Sequence, residues 1–144
     1  VRSTGTRPWA VRVDDLAAGL TPVVADALES MGAGRLAVIV PPAAAPEFDP
    51  DTTRQQLAAA GLPAARGNDP AALDSPVVVL TTAEAKGLEF DSVIVSEPAA
   101  IVSGTQHGWR DLYVAVTRST AHLGVVHTGE LPVPLGSLPP PGVV

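Results

Sequence analysis

Four short runs constrain this chain most: LAVIV at 36–40, VVVLT at 77–81, VIV at 93–95 and LGVVH at 123–127. Each is too short for a helix that packs by itself, and each is rich in β-branched residues. They do not alternate apolar with polar, as a strand with one wet face would, so they read as strands covered on both faces. The segment from Trp9 to Val13 is a further short strand candidate.

Helical signals fall between these runs. Thr21-Pro22 offers a hydroxyl N-cap with proline at the first helical position. The residues after it place Val23, Ala27 and Leu28 on one face, and Gly32 and Gly34 end the helix. Asp51 is positioned to cap a second helix that Gly61 ends. Trp109 to Ser119 reads as a third, with Leu112, Ala115, Val116 and Ser119 on one stripe. The remaining acids of the pairs Asp14-Asp15 and Asp49/Asp51 read as turn and cap residues. Segments 41–50, 67–76 and 97–108 read as loops, the last with at most a short helical turn. Strands alternating with helices define an α/β fold with a mostly parallel sheet covered by helices on both faces.

At 144 residues the chain is one domain by length, here taken as residues 1–130 followed by a proline-rich tail at 131–144. The tail cannot join a helix or a central strand, so it is expected on the surface or disordered. The absence of an initiator Met reads as a fragment or processed chain. No apolar run approaches the ~20 residues of a membrane span, so no membrane partner is expected. With no cysteine there is no disulfide or thiolate metal site, and a cytoplasmic location is the default. His107, His122 and His127 lack metal-ligand spacing, so no metal site is expected. A net charge of −6 makes the chain as a whole a poor grip for a phosphate backbone. A neighbouring domain would have to supply that positive surface.

Two segments carry candidate chemistry. In AEAKGLEF, the only lysine of the chain, Lys86, is followed by Gly87 and Glu89 just after a strand. Ligands of open α/β sheets gather beyond the carboxyl ends of strands. There Gly87 would let the backbone approach a ligand, Lys86 would meet a phosphate and Glu89 a ribose hydroxyl. The alternative is a surface turn with a Lys86–Glu89 ion pair. In LYVAVTRST, Arg118 lies on the flank of a helix near its carboxyl end. It either completes the helix dipole there or acts as an arginine finger across a domain boundary. Trp9 and Trp109 read as core or interface residues, and no GxxxxGK[ST] phosphate cradle is present.

EAKGLEFDSVIV followed by LYVAVTRST resembles motifs V and VI of superfamily 1 helicases of the UvrD/Rep type. Those motifs lie in the second RecA-like domain, the half of the ATPase without a Walker A loop. The resemblance is dense over 77–127. VRSTGTRPWAVRV and LGVVHTGELPVPL are similar to the HelD branch, ATP-dependent factors that bind bacterial RNA polymerase and release it from nucleic acid. The resemblance implies that Gly87 and Glu89 sit at the nucleotide, with Glu89 near the ribose, and that Arg118 reaches the γ-phosphate. Thr82 and Lys86 would belong to the motif V loop that couples nucleotide state to nucleic acid, and Tyr113 and Thr117 would support the motif VI helix. ATP with Mg²⁺ would be bound mainly by a first RecA-like domain of the same protein, and the partners would be that domain and RNA polymerase, DNA or both.

One departure bears on the partner. Where UvrD-type helicases usually carry a histidine that contacts single-stranded DNA, this chain has Ala83, and Glu84 replaces a small hydroxyl residue. A carboxylate beside a phosphate backbone is repulsive, which favours a HelD-like role over a UvrD/Rep-type DNA helicase or repair translocase; a degenerate RecA-like module serving only as a protein-interaction scaffold is the remaining alternative. The phosphate loop, the Mg²⁺-binding aspartate and the motif IV arginine are absent as well. The chain alone is therefore expected neither to hydrolyse ATP nor to bind it with micromolar affinity; calorimetric titration checks this.

Overall fold

The computed structural model describes residues 7–42 and 49–140. The first six residues of VRSTGTRPWAVRV, most of the loop read at 41–50 and the end of the tail at 141–144 lie outside the described residues. Six strands form one sheet in the order β1-β6-β5-β2-β4-β3, and every pairing is parallel. They are β1 (Trp9–Arg12), β2 (Leu36–Val40), β3 (Ala64–Arg66), β4 (Val77–Thr81), β5 (Phe90–Ser96) and β6 (Ser119–His127). The helices are α1 (Leu16–Met31), α2 (Pro50–Ala59), α3 (Thr82–Ala85), α4 (Pro98–Gly104) and α5 (Gly108–Val116).

The sheet divides two cores. On one face, Leu16, Leu20 and Val24 of α1 and Leu57 of α2 meet Leu36, Val38, Val77, Val79, Ile94 and Val126. On the other, Ala85, Ile101, Leu112 and Ala115 of α3, α4 and α5 meet Ala37, Ile39, Val78, Leu80, Val93 and Val95. All five residues of β2 are at most 1% exposed, the state expected for a strand of uniform apolarity under two helical layers.

α1 begins five residues before the Thr21-Pro22 signal. Asp15 is its N-cap, accepting the Ala18 N–H at 2.9 Å, and Pro22 lies inside the helix. An interior proline costs about 3 kcal/mol. Burying Leu16 and Leu20 offsets that, at about 1.5–3 kcal/mol each. α2 is likewise capped two residues early, by Asp49 rather than Asp51; Asp49 accepts from Thr52 N with Pro50 at the first helical position. Gly67–Pro76 is not wholly loop, for a 3₁₀ turn occupies Pro70–Leu73, and just ahead of it lies the three-residue strand β3. α5 stops at Val116, and at its C-cap the Thr117 hydroxyl donates to the Tyr113 carbonyl at 2.8 Å. Arg118 is therefore off the helix, and β6 starts at Ser119.

β5 ends in a backbone conformation that is rare for a residue with a side chain. Glu97 has φ 49° and is 7% exposed. Its carboxylate accepts from the Thr128 N–H (3.1 Å), the Thr128 hydroxyl and the Gly129 N–H (3.4 Å), so it fastens the turn after β6 to the end of β5. Residues 131–140 pack against the sheet and its second core. Leu135 is 9% exposed, Leu131 and Leu138 lie against the second core, and the Ala10 N–H of edge strand β1 donates to the Pro139 carbonyl at 2.9 Å. The Trp9 indole covers Gly124 so closely that a Cβ there would stand 2.2 Å from the ring.

Replacing Glu97 by Ala removes hydrogen bonds to a buried charged acceptor and should cost about 1.5–3 kcal/mol. Urea unfolding of the two proteins reads the difference; an equal midpoint would show that this carboxylate does not hold the two strand ends together.

Candidate functional site

The crossover from β4 to β5 builds the site. Thr81 ends β4 and caps α3 with a reciprocal pair: its hydroxyl accepts the Glu84 N–H at 3.3 Å, and Glu84 Oε1 accepts the Thr81 N–H at 3.0 Å. The sequence Thr-Thr-Ala-Glu states this box directly. Thr82, the first residue of α3, is buried at 4% exposure. Lys86 follows α3 and is exposed, then Gly87 takes φ 80°. A Cβ at Gly87 would meet no described protein atom within 4 Å, so within the domain the glycine is required by the turn's positive φ. Leu88 (42% exposed) and Glu89 complete the return, and Phe90 starts β5.

This places the loop differently from the expectation. Only Thr81, Thr82 and Glu84 stand at the carboxyl end of β4. Gly87, Leu88 and Glu89 have already crossed to the opposite edge, where β5 begins. Arg118 occupies the same edge, directly before β6. Phe90 pairs with Ser119 in register, and the Phe90 N–H donates to the Arg118 carbonyl at 2.9 Å. The fold thus brings Gly87, Glu89 and Arg118 together across two adjacent strand starts, and sets Thr82 apart from them.

Arg118 bridges the two segments. Its Nη1 donates to the Leu88 carbonyl at 3.4 Å, its Nε to the Val114 carbonyl at 3.1 Å and its Nη2 to the Thr117 hydroxyl at 3.2 Å. All three oxygens are neutral, so the guanidinium keeps a positive charge for an anion. Thr117 supports the end of α5 through its hydroxyl. Tyr113 contributes only its carbonyl to that cap, and its ring is 68% exposed. Trp109, on the same helix, is 56% exposed, while Trp9 packs against the first core. Lys86 and Glu89 make no ion pair with each other among the described residues.

Glu84 is not the bare acid expected beside a phosphate. Arg66 grips it in a fork, Nη1 to Oε1 at 2.9 Å and Nη2 to Oε2 at 3.0 Å, and also reaches Asp51 through Nε at 2.8 Å and the Val79 carbonyl through Nη1 at 2.7 Å. Burial pushes the Glu84 carboxyl up, but the hydrogen bonds from Arg66 and Thr81 outweigh it and leave the pKa below the usual carboxylate value. The bond to Glu84 raises the Arg66 pKa in turn, against the opposing effect of burial. The Glu84 charge is thus partly offset within the domain, by an arginine that it shares with Asp51, and the repulsion argued from sequence is weakened. Arg66 went unrecognised in the sequence because Ala-Ala-Arg carries no strand signature and its partners are 15 and 18 residues away.

A cavity of about 260 Å³ lies under the second half of α1, lined by Trp9, Asp26, Met31, Ile94 and His122 among others. It is on the α1 face of the sheet, whereas the Arg118 side chain reaches to α5 on the other. Among the described residues no group of three or more His, Cys, Asp or Glu is placed to hold a metal, and no helix is long and apolar enough to cross a membrane.

Residues 76–126, which hold both segments, match the family model described as UvrD-like helicase C-terminal domain. Among solved structures the chain is similar to the C-terminal domain of a possible DNA helicase from Lactobacillus plantarum WCFS1. The TM-score is 0.68 and the identity 28%, over 93% of this chain and 81% of that one. No curated protein matches significantly. The fold is that of a RecA-like α/β helicase C-terminal domain.

Because the folded pKa of Glu84 is depressed, its contribution to stability is present above the unfolded value of about 4.3 and is lost as pH falls through the folded value. Melting curves from pH 7 to pH 3 should show wild type losing stability over that acid window and Glu84→Gln losing less. Parallel curves for the two proteins would show that the Arg66 fork adds nothing.

Proposed function

We propose that this domain is the phosphate-loop-free half of a composite ATP site in a superfamily 1 helicase-like motor. The observation that carries the reading is the convergence, at one strand edge, of Glu89 and an Arg118 that makes no ion pair among the described residues. The residues fit one side of a nucleotide. Arg118 suits the γ-phosphate, and Gly87 and Glu89 suit the sugar. The phosphate cradle and the Mg²⁺ ligands would come from a first RecA-like domain, which is the direct partner. When bound there, ATP supplies the transferable phosphoryl group. Arg118 offsets charge developing on it, Gly87 keeps the loop turned toward the sugar, and Glu89 orients the ribose.

Coupling runs through the β4–β5 crossover. Thr82 anchors α3 in the core at one sheet edge, and Lys86 and Glu89 lie four and seven residues on, toward the other edge. A shift at the nucleotide would therefore be carried to the carboxyl edge through one short helix. For the task driven by this coupling, the HelD-like reading is remodelling of RNA polymerase–nucleic acid complexes, supported by Ala83 in place of a DNA-contacting histidine. A DNA helicase of the UvrD/Rep type is the second reading. It is favoured by the partly offset charge of Glu84 and by the similarity to a domain described as part of a possible DNA helicase.

The test is steady-state ATPase of the natural protein carrying this domain, wild type beside Arg118→Ala, alone, with single-stranded DNA and with RNA polymerase. The variant should lose about 10³–10⁵ in rate. Stimulation of wild type by polymerase supports the first task and stimulation by DNA the second. A variant as fast as wild type would remove Arg118 from the site.

A further inference from the structure

Glu89 and Arg118 stand at a strand edge whose pairing is broken one step in. Phe90 pairs with Ser119, but Ser92 pairs with His122, so β6 carries one extra residue between these two rungs. Such bulges loosen the ladder locally and re-aim the side chains beside them. The first rung, which Glu89 and Arg118 immediately precede, is therefore poorly fixed by the rest of the β5–β6 ladder.

Arg35 supplies the missing hold from the other side. It precedes β2, the strand that flanks β5 opposite β6. Its guanidinium stacks on the Phe90 ring, 4.9 Å from the centroid. Its backbone N–H donates to Asp91 Oδ2 at 2.7 Å, and its carbonyl accepts from the Ser92 N–H at 3.2 Å. Arg35 thus touches three successive residues of β5, at the register break. The local backbone is shaped for this. Gly34 has φ 119°, and a Cβ there would stand 2.7 Å from Asp91 Oδ2, so only glycine lets the carboxylate reach the Arg35 N–H. The guanidinium also donates to the Ala72 carbonyl at 3.3 Å, and its Nε is buried with no partner among the described residues. That is a polar cost which hydrogen bonding at this position does not explain, and which stacking on Phe90 does. From Phe90 the hold passes on through the 2.9 Å bond to the Arg118 carbonyl.

We propose that Arg35, clamped by Asp91, is a positioning residue for the nucleotide edge: it fixes Phe90 and thereby sets where Glu89 and Arg118 point. The inference rests on the ATP-site reading above. A displacement of the order of 1 Å at such an edge can cost about 100-fold in rate.

The experiment uses the natural protein carrying this domain and compares Arg35→Met, Asp91→Leu, Asp91→Asn and Arg118→Ala, with kcat and KM for ATP and a thermal melt for each. Arg35→Met and Asp91→Leu should lower kcat about 10- to 100-fold and raise KM, because both Arg118 and Glu89 move. Asp91→Asn keeps an acceptor oxygen and should stay near wild type. In an Arg118→Ala background, Arg35→Met should cost little further in kcat, since that part of its effect runs through Arg118, while the rise in KM that runs through Glu89 should remain. The proposal is overturned if Arg35→Met and Asp91→Leu, folded, keep kcat and KM within twofold of wild type while Arg118→Ala loses its rate. It is equally overturned if activity falls only in proportion to folded protein. Asp91 is exposed, so its variants carry the test even where Arg35→Met fails to fold. If Arg118→Ala itself keeps the wild-type rate, the ATP-site reading fails instead.

Discussion

The closed environment of β2 governs the rest of this molecule. Five successive residues there are shut off from water, and an unpaired backbone N–H or C=O in such a place would cost about 1–3 kcal/mol. The strand therefore needs a parallel neighbour on each side, and β4 and β5 fill those places in register. Both neighbours are themselves largely buried and carry the same demand. Helices must then cover both faces, and each connection must travel the length of the sheet, because parallel strands cannot be joined by a tight turn. The position of every candidate functional residue follows from this requirement.

The β4–β5 connection shows how. It has only eight residues, 82–89, in which to bring the chain back to the edge where β5 starts. One turn of helix uses the first four. The last residues of the return must arrive beside the start of β5, and the chain entering β6 arrives beside them. Motif-like residues 30 positions apart are in this way placed one carbonyl from each other, as the contact between Arg118 and Leu88 shows. The fork of Arg66 on Glu84 pins the other end of the same short helix. One end of the crossover is thus rigid, and the other is turned by a glycine into an exposed edge.

The layered α/β architecture was legible in the sequence because uniform apolarity over five residues has few other solutions. β2 and β4 were read to the residue for that reason. Caps were legible in kind but not always in place. Asp15 outcompetes Thr21 because the buried stripe of Leu16, Leu20 and Val24 begins earlier, a preference decided by packing rather than by local chemistry. β3 and α4 were missed or shortened because Ala-Ala-Arg and Pro-Ala-Ala take their structure from neighbours. At the site, the grouping of Gly87, Glu89 and Arg118 was implied by resemblance. The sheet edge they share, and the roles of Arg35, Arg66 and Glu97, depend on partners 15 to 56 residues away. No local pattern announces such pairs.

The path of residues 131–140 has a consequence for how this sheet behaves among many copies of itself. The outer side of β1 presents N–H and C=O groups that could template a further strand from another molecule. The Ala10 N–H is instead taken by the carbonyl of Pro139. Proline has no N–H to return, so the covering segment accepts from the edge without offering a new ladder of its own. At the far side, β3 is only three residues long and ends in a charged arginine already committed to two carboxylates. Both borders of an otherwise very apolar sheet are therefore poor seeds for strand-by-strand growth. At Ala10 the proline-rich segment thus closes the β1 border with a residue that cannot extend the sheet.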